Sequence, residues 1–141
     1  MKIEEFQGEF RWLSNFWPCQ ILLGGEELGT VEHAFQASKA ITVEDFNFVT
    51  HSPTPGEAKR RGRQIKIRKD WDEVKLDIMR ALILQKFTNP LNKDLREKLL
   101  ATGDAELIEG NRWGDTFWGV CNKVGENHLG KIIMEVRDWL K

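Results

Sequence analysis

Thr30–Ala40 reads T-V-E-H-A-F-Q-A-S-K-A, and the rest of the chain is organised around it. Thr30 is placed to cap a helix, its hydroxyl accepting a hydrogen bond from a first-turn amide that lacks a helical partner. Glu32 then falls in that first turn, where the helix dipole favours a charged carboxylate. On a 3.6-residue period Glu32, Gln36 and Lys39 form one stripe. Val31, Phe35 and Ser38 lie beside it, while Ala34, Ala37 and Ile41 can pack closely on other elements. An acid, an amide and an amine thus line one side of a helix whose small residues permit close contacts. The alternative is a capped surface helix with Glu32 and Lys39 in solvent.

The chain's 141 residues suit a single domain over 1–141, long enough to bury roughly two thirds of its unfolded surface. Charged residues make up 30% and the net charge is −1, so the overall field selects neither nucleic acid nor membrane. Cys19 and Cys121, with His33, His51 and His128, match no zinc spacing and no disulfide framework. They read as reduced thiols in a cytoplasmic protein, with no metal site. No apolar run approaches ~18 residues, and M-K-I-E-E-F is not a signal peptide, so no membrane partner is expected. Six tryptophans stand beside no tyrosine. Such rings bury large area and stack on planar ligands.

Upstream of the Thr30 helix, Ile3–Phe10 alternates like a short strand, and Arg11–Gln20 reads as a loop punctuated by Ser14-Asn15 and Pro18. Asn15 either presents its amide to a ligand or bonds its own backbone. Cys19–Leu23 and Glu26–Leu28 form a hairpin about Gly24-Gly25. Downstream, Thr42–Thr54 holds a short helix and a loop, and Pro55 opens the helix P-G-E-A-K-R-R-G-R. Seven of the eleven residues in Lys59–Lys69 are basic. That segment suits a phosphate group or an RNA backbone, or else forms a solvated charged face.

Asp70 and Glu73 predict a capping-box start for the longest helix, Trp71 to about Phe87. Its core stripe is Val74, Ile78, Leu82 and Gln85, widened by Met79 and Ile83. Trp71 is either a core anchor or a ring that stacks on a base. Asn89-Pro90 starts a helix with Leu91, Leu95 and Leu99 on one face, ended by Gly103. Leu107-Ile108 suggests a short strand. Asn111–Asn122 follows, two tryptophans and two glycines around Asp115, too specialised for a plain connector. Asn127 caps a last helix carrying Leu129, Ile132, Ile133, Val136 and Leu140.

No phosphate-binding P-loop, dinucleotide fingerprint or nucleophile elbow is present. Carboxylates, amides, basic groups and aromatic rings remain. That set suits hydrolysis of a glycosidic bond in a phosphorylated, base-bearing ligand: a carboxylate orients water and stabilises positive charge on the sugar, while a tryptophan stacks on the base.

Several segments resemble the YbiA-like or NADAR family. They are L-S-N-F (Leu13–Phe16), E-H-A-F-Q-A-S-K (Glu32–Lys39), E-A-K-R-R-G-R (Glu57–Arg63), D-W (Asp70-Trp71), K-F (Lys86-Phe87), T-G (Thr102-Gly103), D-x-x-W-G (Asp115–Gly119) and N-H-L-G-K-I-I-M (Asn127–Met134). They run in family order from Phe6 to Arg137. The resemblance implies an α+β fold, mostly helical with a small sheet, and a cofactor-free N-glycosidase. Members cleave the base–ribose bond of early riboflavin-pathway intermediates, and others remove ADP-ribose from guanine in nucleic acid.

Carried over by position, Glu32, Trp71 and Asp115 are the expected catalytic residues. Asn15, Gln36, Lys39, Arg63 and Asn127 would shape the pocket, with Lys59, Trp118 and Gly119 completing the substrate-binding set. Glu32 would orient water or stabilise the oxocarbenium, and Asp115 would assist protonation or bind ribose hydroxyls. Trp71 would position the base, and Lys39 with Lys59–Arg63 would meet phosphate. The expected partner is a small nucleotide-like molecule. The alternatives are ADP-ribosylated nucleic acid as substrate, or a non-catalytic module that binds ADP-ribose or RNA. Cys121 stands where the family often has glycine.

Overall fold

In the computed structural model, which describes residues 1–141, the chain opens with β1 (Lys2–Ile3) and a 3-10 turn over Gly8–Leu13. The hairpin β2 (Ile21–Leu23) and β3 (Glu26–Leu28) follows, then α1 (Val31–Ala37), α2 (Val43–Thr50), α3 (Pro55–Gly62) and α4 (Trp71–Thr88). A 3-10 turn at Pro90–Asn92 leads into α5 (Lys93–Ala101), β4 (Glu106–Leu107), β5 (Gly110–Asn111), β6 (Val120–Cys121) and α6 (His128–Leu140). The architecture is α+β and mostly helical, as expected, with its strands in three separate pairs. β1 and β4 are parallel with Ile3 opposite Leu107, and β5 and β6 are parallel with Asn111 opposite Cys121. β2 and β3 are antiparallel about Gly24 and Gly25, both at positive φ as such a tight turn requires.

All seven residues of α1 are buried, which excludes the surface-helix alternative. The Thr30 hydroxyl accepts from the His33 amide at 3.0 Å, so the predicted cap is present. His33 Nε2 lies 2.9 Å from the Ser52 carbonyl, an acceptor only, so the proton sits on Nε2. Nδ1 lies 2.8 Å from the Thr30 hydroxyl. α1 packs on α2, α3 and α4. Ala37 meets Val49, Ala58 and Ile65 in a small core. Ile41 lies past the helix end and is exposed.

The main core joins residues from both ends of the chain, Ile3, Leu13, Ile21, Val31, Met79, Ile83, Phe87, Leu107 and Ile133 among them. Full burial of one such side chain contributes roughly 1.5–3 kcal/mol. Lys86 is buried among them and donates to the Ser14 carbonyl at 2.8 Å, which ties α4 to the Ser14–Trp17 loop.

Further local expectations fail, each because a tertiary partner or a turn intervenes. Only Lys2–Ile3 of the predicted Ile3–Phe10 strand pairs, because Gly8 at φ 59° turns the chain into the 3-10 coil that sends Trp12 and Leu13 inward. Asp70 does not cap α4, since Arg68 claims both its carboxylate oxygens at 2.6 and 2.9 Å. The buried face of α4 runs through Met79, Leu82, Ile83, Lys86 and Phe87. Val74, Ile78 and Gln85 are half-buried, and Gln85 instead pairs with the backbone of Leu22 on β2. Leu91 falls in the 3-10 turn ahead of α5 and is exposed, leaving Leu95 and Leu99 to pack. No helix is long and apolar enough to cross a membrane.

Candidate active site

α1, α3, the start of α4, the Ser14–Trp17 loop and the chain between Glu109 and Trp118 line a cavity of about 860 Å³, a volume typical of small-molecule sites. Its floor includes Glu32, 7% exposed. The Glu32 amide donates to the Asn15 carbonyl at 3.1 Å, and Gln36 Nε2 donates to Glu32 Oε1 at 2.8 Å. Burial pushes the Glu32 carboxyl up, against the pull of the Gln36 amide, Lys59, Lys39 and His33. Gly62 of α3 sits so close that a Cβ there would overlap the Gln36 carboxamide. That contact holds Gln36 in place beneath Glu32.

Lys39 is pushed down by burial, partly countered by the Glu32 charge. Its ammonium lies 5.7 Å from the Trp71 ring centre. Trp71 packs on Phe35 at 5.0 Å, and Phe35 meets Trp118 edge-on at 5.4 Å, so three rings form one wall. Lys75 stands 4.1 Å over Phe117, the next ring along. Asn15 points its amide nitrogen at Met79 Sδ, 3.6 Å away, and its buried Oδ1 has no donor within the protein.

Asp115 folds its own loop. Its Oδ1 accepts from the amides of Phe117 and Trp118 at 3.1 and 2.9 Å. Asn111 brackets it, accepting from the Asp115 amide at 3.0 Å and donating to its carbonyl at 2.8 Å. Oδ2 accepts no hydrogen bond from the protein.

Of the residues expected from sequence, Asn15, Glu32, Gln36, Lys39, Lys59, Trp71, Asp115 and Trp118 line this one cavity. Arg63, Gly119 and Asn127 do not. Arg63 is exposed, and its charge depresses Lys39 from outside the lining. Asn127 starts α6 in the left-handed region and does not cap it. Its side chain donates to Leu107 O and accepts from the Glu109 amide, both at 2.9 Å. Gly119 provides space rather than contact, since a Cβ there would overlap the Glu109 carboxylate and carbonyl. Cys121 is buried on β6, outside the lining. In the basic segment Arg60 pairs with Glu57, Arg61 donates to Phe48 O and Arg68 holds Asp70, so only part of it faces solvent unpaired.

Sequence reasoning missed Glu109. It lines the cavity, and its carboxyl is pushed up to about 7. Burial is the main cause, reinforced by the charges of Asp115 and Glu32 and opposed by the Asn111 amide and Lys59. Its one sequence signal is position, between the short strand at Leu107 and the tryptophan-rich loop. The cavity thus combines three carboxyls, an aromatic wall and several lysines. That array can hold a planar base, attract an anion and manage a proton. No group of three His, Cys, Asp or Glu residues is placed to hold a metal ion.

A NADAR domain match covers residues 3–141. The N-glycosidase Npun_R5314 of Nostoc punctiforme is 42% identical over 91% of this chain and 84% of its own length. The riboflavin biosynthesis protein VVA0006 of Vibrio vulnificus is 36% identical over 92% of this chain, which spans only 35% of that protein. The solution structure of Escherichia coli YbiA superposes with a TM-score of 0.85 at 32% identity, covering 99% of this chain and 83% of that one.

Proposed function

The chain belongs to the NADAR domain family and is an N-glycosidase, and we propose that it hydrolyses the base–ribose bond of a phosphorylated, nucleotide-like metabolite. An early riboflavin-pathway intermediate is the favoured substrate, in line with the name of the Vibrio vulnificus relative. The observation that carries this reading is the buried Glu32 carboxylate beside Lys39 and the Trp71 wall in one cavity. A carboxylate held there orients water toward C1′ and offsets positive charge as the sugar becomes oxocarbenium-like. Trp71 stacks on the base, and Lys39 and Lys59 meet the phosphate. The unpartnered Asn15 Oδ1 accepts from a base N–H or a ribose hydroxyl. Of the two roles open to Asp115 we favour binding ribose hydroxyls, since two amides already occupy Oδ1 and leave Oδ2 as an acceptor. The carboxylates and lysines can carry this chemistry without a metal ion, in the reducing cytoplasm that two unpaired cysteines suit.

A second reading draws on the exposed Arg63, Lys66 and Lys69 beyond the cavity, which make no ion pair within the chain. They suit a longer anionic substrate, ADP-ribosylated guanine in nucleic acid. Incubation with riboflavin-pathway intermediates and with ADP-ribosylated oligonucleotides, followed by mass, separates the readings. Base release from the intermediates supports the first and ADP-ribose release the second. Binding without either product would mark a non-catalytic module.

A further inference from the structure

Resting on the N-glycosidase reading, we propose that Glu109 is the general acid that protonates the departing base. Its position is built by contacts from three separate parts of the chain. The backbone is fixed on both sides: its amide donates to Asn127 Oδ1 and its carbonyl accepts from the Val120 amide, each at 2.9 Å. Oε2 accepts from Asn111 Nδ2 at 3.1 Å, while Oε1 carries no hydrogen bond from the protein. Gly119 closes against the same carboxyl, where any Cβ would overlap it. The carboxyl therefore has one oxygen anchored and one available to a ligand in the cavity.

Three carboxyls in one cavity are not all ionised together easily, because like charges and burial both oppose it. Asp115 from the same loop, Glu32 from α1 and Lys59 from α3 are the charged groups that act on Glu109. Asp115 has one oxygen committed to two amides, and Glu32 accepts from Gln36 with Lys59 and Lys39 near it. Glu109 has only the Asn111 amide and the weaker pull of Lys59 against two neighbouring carboxylates. Burial, reinforced by these two carboxyls, raises Glu109 to about 7, so it keeps a proton to give up to near-neutral pH.

In the reaction the C1′–N bond breaks with its electron pair on nitrogen, and the Glu109 proton is delivered to the base. Water adds to C1′ and loses its proton to Glu32. Exchange with solvent then returns Glu32 to its anion and Glu109 to its acid. The net change is addition of one water across the bond.

The test compares wild type with Glu109→Gln over a pH range of about 5 to 9. It uses the base-bearing ribose 5-phosphate that wild type cleaves fastest, and 4-nitrophenyl riboside 5-phosphate, whose phenolate leaves without a proton. The proposal expects kcat on the nitrogen base to fall roughly a hundredfold or more, with near wild-type turnover of the nitrophenyl compound. Wild-type turnover should decline as pH rises past about 7 and Glu109 loses its proton, and the variant should lack that decline. Carbon-13 titration of the wild-type Glu109 carboxyl gives a reading that needs no variant to fold. A variant within a few-fold of wild type on the nitrogen base, or a Glu109 carboxyl titrating in the ordinary carboxylate range, overturns the proposal while leaving the glycosidase standing. If wild type releases no base at all, the glycosidase reading fails and this role falls with it.

Discussion

Gln36 donates to Oε1 of Glu32 across 2.8 Å, one turn apart on a helix whose every residue is buried. The pair therefore depends on the charge of Glu32 for chemistry but not for its shape. Glu32→Gln should keep the fold and ligand binding while lowering turnover on the order of a hundredfold or more. Calorimetric binding and steady-state kinetics on the same preparation check this. Normal turnover with normal binding would leave Glu32 as a structural residue only.

Gly62→Ala should act on the same pair from behind. The new methyl would collide with the Gln36 carboxamide inside a packed interface, a strain of roughly 1–3 kcal/mol. We expect a lower melting temperature and a reduced kcat, with the melting temperature alone partly restored by Gln36→Ala in the double variant. A melting temperature equal to wild type would show that α3 can retreat without cost.

Lys86 makes stability depend on pH in an unusual direction. Burial lowers its amine from 10.5 to about 8. Between those values the unfolded chain holds a proton that the native state has shed, so the free energy of unfolding rises with pH. Burial also raises the Cys19 thiol above its ordinary 9.0, which works the other way once the unfolded thiol ionises. The gain is therefore clearest between about pH 8 and 9, with a slope of up to about 1.4 kcal/mol per unit. Urea unfolding at stepped pH should show it, and Lys86→Met should flatten it. A wild-type curve that is flat or falling there would refute the assignment.

Salt separates a nucleotide pocket from a nucleic-acid track. A cavity lined by a few lysines should lose affinity for a mononucleotide only mildly as salt rises. A backbone-tracking RNA binder would show a slope of roughly 0.7 per phosphate neutralised. Tight, length-dependent binding of unmodified RNA that collapses with salt would count against the metabolite reading.

What sequence made legible was local. The Thr30 cap, the Gly24-Gly25 turn, Pro55 at a helix start and the long α4 each depend on neighbours a few residues away. Asp70 and Asn127 carry the right side chains for caps, yet Arg68 claims one and the Leu107–Glu109 backbone claims the other. Glu109 was illegible for a related reason. Its carboxyl reaches the cavity only through the pairing of β5 with β6 and the space left by Gly119, and its altered acidity comes mainly from the burial that this tertiary arrangement imposes, with Asp115 and the distant Glu32 adding to it. No periodicity records such a meeting.

The distribution of the indole rings gives the protein its own optical reporter. Trp17, Trp71, Trp113 and Trp118 line the cavity, Trp12 lies in the core and Trp139 stands 71% exposed. With no tyrosine in the chain, near-ultraviolet emission belongs to these six alone. A base sliding against Trp71 should quench the cavity's share of that emission. The Trp12 and Trp139 signals should persist as a fixed background, so the unquenched fraction would measure occupancy without any label.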